Sequence, residues 1–195
     1  MPDTGITNDL FVFSHKTETR FVATRTVRTE ASLVERAIIG DEEAFAELYR
    51  MFAPMVHGIV LSRVPRDEAD DVTQEVFIAA YKNLSSLRDK NVFGPWLAKI
   101  ARNRATGLIR GKRQDVELTE DNGGASESDS KANEILTVIL KMPTAYKETL
   151  VLRLVEGMTG PEIAEQTGMT PDSVRVNLHR GMKLLRQKLG LEAKQ

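Results

Sequence analysis

The 195-residue chain contains no cysteine, and that absence alone removes a disulfide framework, thiolate zinc sites, iron–sulfur clusters and cysteine nucleophiles. A strong net charge is also missing: 27 Lys and Arg stand against 28 Asp and Glu, which excludes a uniformly basic nucleic-acid coat and an acidic solubiliser. No run approaches the roughly 18 apolar residues that a membrane helix needs. The N-terminus has no basic segment followed by an apolar core, so it does not read as a secretory signal. A cytoplasmic chain without membrane insertion is expected. Strand-like alternation is absent as well. The three His (His15, His57, His179) do not cluster, and no metal or cofactor is expected.

What is present is local charge asymmetry. Residues 99–113 hold six basic residues (Lys99, Arg102, Arg104, Arg110, Lys112, Arg113) and no acid. Residues 114–134 reverse the sign, with seven acids against Lys131. Residues 174–188 return five basic residues (Arg175, Arg180, Lys183, Arg186, Lys188) and again no acid. A single basic run is usually a solvated face. Two of them, each ending a helical pattern and separated by acid, suggest two surfaces for anionic ligands on one chain.

Apolar spacing predicts an all-α chain of two small helical domains joined by a flexible acidic linker, the C-terminal one a helix-turn-helix. The expected boundaries are an N-terminal extension over 1–30, a first domain over 31–113, the linker over 114–133 and a second domain over 134–195. Asp41 is the expected N-cap of a helix over 42–63, in which Pro54 should introduce a kink. Further helices are expected over about 67–84, 93–111, 131–141, 145–156, 160–166 and 171–189. The Asn122-Gly123-Gly124 stretch and the Ser-rich residues after it cannot bury a core. If flexible, residues 114–134 span roughly 25 Å.

In the second domain two helix starts stand close together. Thr159-Gly160-Pro161-Glu162 has the form of a capping box with Pro just inside it, and Thr170-Pro171 repeats the N-cap signature eleven residues later. Gly168 between them suits the left-handed backbone where a helix stops. On a helical wheel Val174, Leu178, Gly181, Met182, Leu185 and Leu189 form the buried stripe of the last helix. The opposite face carries Asp172, Arg175, Val176, His179, Arg180, Lys183, Arg186 and Gln187, as a helix entering a DNA groove requires. A solvated helix in a protein–protein bundle has the same pattern and stands as the bland alternative.

In the first domain the helix from Asp67 divides into an apolar side and a side bearing Asp67, Glu68, Asp71, Gln74, Glu75, Ile78 and Lys82. Ile78, apolar amid acids, either borders the core or forms the centre of a docking face with an acidic rim. Arranged carboxylates are also the donor set for Mg²⁺, but no second acidic helix supplies partners. The next segment places Phe93 and Trp96 beside Lys99, Arg102, Asn103 and Arg104. Aromatics with Arg suit single-stranded bases, although two aromatics three residues apart more often pack into a core.

Four stretches, taken together and in order, resemble the extracytoplasmic-function group of bacterial RNA polymerase sigma factors, which retains only the second and fourth conserved sigma regions. They are Gly40-Asp41-Glu42-Glu43-Ala44-Phe45, Asp71-Val72-Thr73-Gln74-Glu75-Val76-Phe77, Trp96-Leu97-Ala98-Lys99-Ile100-Ala101-Arg102-Asn103, and Glu162-Ile163-Ala164 through Val174-Arg175. The resemblance implies that Asp67, Asp71, Gln74, Glu75 and Ile78 meet the clamp helices of the polymerase β′ subunit. It implies that Trp96, Lys99, Arg102, Asn103, Arg110 and Arg113, with the loop over 85–92, take the melted −10 element. Arg175, Val176, His179, Arg180 and Lys183 would read the −35 element, and the β flap and an anti-sigma factor would be further partners. Val176 and Asn177 stand where the family commonly has Ser and Arg, and Gly107 replaces a frequent Asp, so the promoter preference should differ from a typical member's. The expectation is a promoter-specificity subunit of RNA polymerase with no catalytic activity of its own. The alternatives are a stand-alone helix-turn-helix regulator that binds palindromic DNA and, more remotely, a metal-dependent hydrolase using the carboxylates over 67–75.

Overall fold

The computed structural model of the protein describes residues 30–115 and 127–191, with side chains over 30–110 and 132–191. Every regular element among them is helical. A first helix, α1, covers 30–38 and is followed by α2 (Glu42–Leu61), α3 (Ala69–Asn83), α4 (Phe93–Asp115), α5 (Glu127–Leu140), α6 (Thr144–Leu154), α7 (Gly160–Thr167) and α8 (Pro171–Lys188). The extension over 1–29 and the linker core over 116–126 lie outside the described residues. Helix enters the expected linker from both sides, since α4 continues to Asp115 and α5 begins at Glu127.

Local chemistry accounts for the helix ends. Asp41 accepts the Ala44 N–H at 3.0 Å and is gripped by Arg36 Nε at 2.8 Å, so the first hydrogen bond and the Arg36 contact hold its carboxyl below the usual range. Pro54 is exposed inside α2, which continues through it and stops at Leu61, two residues short of expectation. The helix expected from Asp67 opens instead as a 3-10 turn (Arg66–Glu68), with α3 proper starting at Ala69. At the second domain the capping box forms as read: Thr159 caps Glu162 N–H, and Glu162 returns to the Thr159 N–H at 2.7 Å. Gly168 then ends α7 at φ +72°, a backbone that costs an L side chain strain and a glycine none. Thr170 accepts the Ser173 N–H and starts α8 with Pro171 in its first turn.

The two halves, 30–115 and 127–191, do not stand apart as beads on a tether. α2 packs on α6 and α7, and α4 packs on α7. Their buried apolar side chains form one cluster running from Leu48, Phe52, Met55, Ile59, Phe93 and Leu97 to Ile139, Leu150, Leu152 and Ile163. Two glycines permit this approach. A Cβ at Gly58 would lie 2.7 Å from Leu152 Cδ2, and one at Gly94 would lie 2.9 Å from both the Gln166 carbonyl oxygen and the Phe52 ring. The linker composition predicts a flexible connection and leaves open how the two halves pack. Close packing of α2 and α4 on α6 and α7 is what side-chain chemistry across the two halves produces.

Candidate polymerase and nucleic-acid interfaces

The acidic side of α3 faces solvent. Asp67 is exposed on the 3-10 turn, Asp71 and Gln74 are exposed on α3, and Ile78 keeps 54% of its surface in water. Glu75 is half-buried because Arg104 Nε reaches it from α4 at 3.1 Å, a partly exposed pair worth at most about 1 kcal/mol. Beside this face lies a shallow groove of about 510 Å³ between α2 and α3, lined by Phe45, Tyr49, Gln74, Phe77, Ile78 and Tyr81. Its walls are ordered by aromatic pairs: Phe45 meets Tyr81 edge-on with centroids 4.8 Å apart, and Tyr49 meets Phe77 at 4.4 Å. Sequence reasoning found the acidic rim and Ile78 but not the aromatic groove, because its lining comes from two helices.

α4 shows a divided set of residues. Trp96 is half-buried and tilts against Phe93 at 5.8 Å, while Phe93 is fully buried against Phe52. The aromatic pair therefore anchors the core edge. Lys99, Asn103 and Arg110 are exposed, as their spacing on one helix face dictates. Arg113 lies outside the residues whose side chains are described.

Arg102 points the other way, into the contact with the C-terminal half. Its Nη2 meets Glu148 Oε1 of α6 at 2.8 Å and donates to the Thr167 carbonyl at 3.4 Å. Arg63, just beyond α2, holds the other Glu148 oxygen at 2.5 Å. Glu148 itself has only 3% of its side chain exposed. Burial pushes its carboxyl upward, but the hydrogen bond from Arg102 and the two guanidinium charges outweigh burial and hold it below the ordinary range. A second cross-contact joins His57 Nδ1 of α2 to Glu156 Oε1 at 2.7 Å, and Arg66 donates to Asn133. None of these partners was singled out from sequence. The one available signal was Glu148 itself, a charge directly ahead of the buried run Thr149-Leu150-Val151-Leu152.

α8 is simpler. Val174, Gly181 and Leu185 are buried against the rest of the half, with Leu178, Met182 and Leu189 partly so. Arg175, Val176, His179, Arg180 and Lys183 are all exposed along the opposite face. Arg175 pairs locally with Asp172 at 3.1 Å. Among the described residues no group of His, Asp and Glu side chains is placed to hold a metal ion, and no helix is long and apolar enough to cross a membrane.

This arrangement is a known one. Residues 48–114 match the family described as Sigma-70 region 2, and residues 132–185 match Sigma-70, region 4. The RNA polymerase sigma factor CarQ of Myxococcus xanthus is 30% identical over 80% of this chain and 95% of its own. The ECF RNA polymerase sigma factor SigW of Bacillus subtilis (strain 168) is 29% identical over 77% and 91%. Among solved structures, CnrH in complex with the cytosolic domain of CnrY aligns over 85% of this chain and 99% of its own, at a TM-score of 0.61 and 23% identity. The sigma factor RpoE in complex with the anti-sigma factor NepR, from Bartonella quintana, aligns over 76% and 98%, at 0.53 and 16%. The chain belongs to the RNA polymerase sigma factor family. Within that family it falls in the extracytoplasmic-function group, whose members are transcription initiation factors rather than catalysts.

Proposed function

We infer that the chain binds core RNA polymerase, directs it to promoters through a −10 and a −35 element, and carries this out in the cytoplasm. The observation that carries the reading is α8: a helix started by Thr170 after a glycine turn, its apolar back buried and five DNA-suited side chains turned outward. Arg175, Val176, His179, Arg180 and Lys183 read the −35 element, with base edges nearer the helix N-terminus and phosphates further along. Trp96, Lys99, Arg102, Asn103, Arg110 and Arg113, with the loop over 85–92, form the −10 surface. The acidic rim at Asp67, Asp71, Gln74 and Glu75, centred on Ile78, meets the β′ clamp helices, and the C-terminal half meets the β flap. The corresponding functional division is 31–113 for polymerase and the −10 element, and 134–195 for the −35 element.

An anti-sigma protein is the expected inhibitor, since RpoE of Bartonella quintana was solved with one bound. The direct test is size exclusion with bacterial core polymerase at moderate salt. The chain is expected to co-elute, and the double variant Asp71→Ala with Glu75→Ala is expected to bind roughly tenfold more weakly while remaining folded. A folded, inhibitor-free chain that never co-elutes would overturn the reading.

A further inference from the structure

Asp172 has the wrong sign for the surface that carries it. Between Pro171 and Lys188 it is the sole acid among five Lys and Arg, and 87% of its side chain stays in water. A carboxylate so placed repels phosphate and lowers affinity for any DNA, whatever the sequence. Helix capping does not account for it, because its neighbours already supply the cap. The Thr170 hydroxyl accepts the Ser173 N–H at 3.2 Å and donates to the Ser173 hydroxyl at 2.7 Å. Asp172 Oδ1 instead accepts from Arg175 Nη2 at 3.1 Å, one turn further along the helix. An ion pair this exposed adds little stability.

What the contact does fix is the direction of a guanidinium. Arg180, Lys183 and Arg186 have no acid three or four residues away in either direction, so on the outward face Arg175 alone is tied within its own helix. An untied Arg on a DNA surface is drawn to phosphate, which carries no sequence information. An Arg held at one Nη keeps its other N–H groups for a base edge. The base edge that matches two parallel donors is O6 and N7 of guanine.

We propose that Asp172 is a positioning residue for −35 recognition: it holds Arg175 off the phosphates and directs it to a guanine, so that general affinity is given up for selectivity. This rests on the assignment of α8 to the −35 element made above.

The test uses the full-length chain with core polymerase on a pool of promoters randomised across the −35 element, the initiated templates being sequenced. Wild type is expected to favour G at one position, and Arg175→Ala to erase that preference alone. Asp172→Ala is expected to reduce it roughly fivefold by raising use of the other bases there, with the remaining positions unchanged. Asp172→Glu is expected to restore the preference and Asp172→Asn not to. In the Arg175→Ala background Asp172→Ala should change nothing at that position, since it acts through the arginine.

A carboxylate that only stabilises the helix start would lower initiation from every promoter alike, together with the thermal midpoint, and that outcome would overturn the proposal. So would a preference unmoved by Asp172→Ala. A preference that shifts again in the Arg175→Ala background would overturn it too, because Asp172 would then read a base itself. Failure of the underlying assignment looks different. A wild-type chain that initiates without any −35 preference, or forms no holoenzyme, overturns the reading of α8 and the positioning role with it.

Discussion

α4 and α8 are the two basic helices of the chain, and in sequence they differ little: a run of Lys and Arg without acids, ending an amphipathic pattern. In the folded protein they differ in availability. α8 is held by its apolar back, so Arg175, His179, Arg180 and Lys183 all face water, and Arg175 pairs with Asp172 of the same helix. α4 is packed by α2 and α3 on one side and by α7 on another. Of its cations, Arg104 is taken by Glu75 and Arg102 by Glu148, while Lys99 and Arg110 remain exposed. Local charge therefore marks a surface, and the partners brought in by distant helices decide whether that surface is free.

The strongest way to break the comparison is to spoil the packing over α4. Gly94→Val places methyl groups where a Cβ alone would already sit 2.9 Å from a backbone oxygen and from the Phe52 ring. The backbone cannot yield as a flexible side chain would, so a loss of about 3 kcal/mol is expected. Gly107 on the same helix is the control. It is exposed, a Cβ there meets nothing within 4 Å, and Gly107→Ala should stabilise by about 0.5–1 kcal/mol through helix propensity alone. Thermal or denaturant unfolding of the pair checks both signs; equal effects would mean that α4 is not covered on the Gly94 side.

A smaller effect sharpens the contrast between the two helices. Arg102→Ala leaves Glu148 buried with Arg63 alone and is expected to cost about 2 kcal/mol of stability. Arg180→Ala removes an exposed side chain and should leave the thermal midpoint unchanged. In transcription from a −35-dependent promoter, however, Arg180→Ala is expected to cost roughly tenfold or more while sparing polymerase binding. A drop in stability for Arg180→Ala, or none for Arg102→Ala, would remove the distinction drawn here.

How much of this could be read from sequence follows from the range of the forces. The capping box at Thr159 and Glu162, the glycine stop at Gly168 and the Thr170 start are local hydrogen-bonding events, and each forms as the residues dictate. The buried and exposed faces of α8 follow from periodicity. The aromatic groove of Phe45, Tyr49, Phe77 and Tyr81 needed the register between α2 and α3, which no single helix encodes. The partners of Arg102 needed more still. Glu148 is 46 residues away, across a linker whose composition does not say how the halves pack, and Gly58 and Gly94 look like ordinary helix glycines until atoms of the other half lie against them. Charge runs and helix faces are written locally; contacts between halves are not.

Two further groups of the N-terminal half, Glu30 beside the start of α4 and His57 on α2, make stability depend on pH. Burial raises the Glu30 carboxyl to about 7, with the Glu165 charge adding to it, against N–H donation from Gly94 and Phe93 at the start of α4. The His57 imidazole is raised by its hydrogen bond to Glu156, opposed by burial, with Asp70 adding attraction and Arg66 repulsion. For both groups the folded chain holds a proton more tightly than the unfolded one, so their contribution is complete at low pH and fades as pH rises. Glu30 loses it from about 4.5 up to about 7, and His57 from 6.5 up through its higher folded value. Glu148 has the opposite sign, but its lowered carboxyl is lost only below the ordinary range near 4.5. Stability should therefore fall by about 2 kcal/mol between pH 5.5 and 8, read as a declining thermal midpoint. Glu30→Gln should flatten the slope below pH 7, and His57→Gln only above 6.5. A midpoint independent of pH across that window, or the same slope in both variants, would show that these two groups do not titrate as their contacts imply.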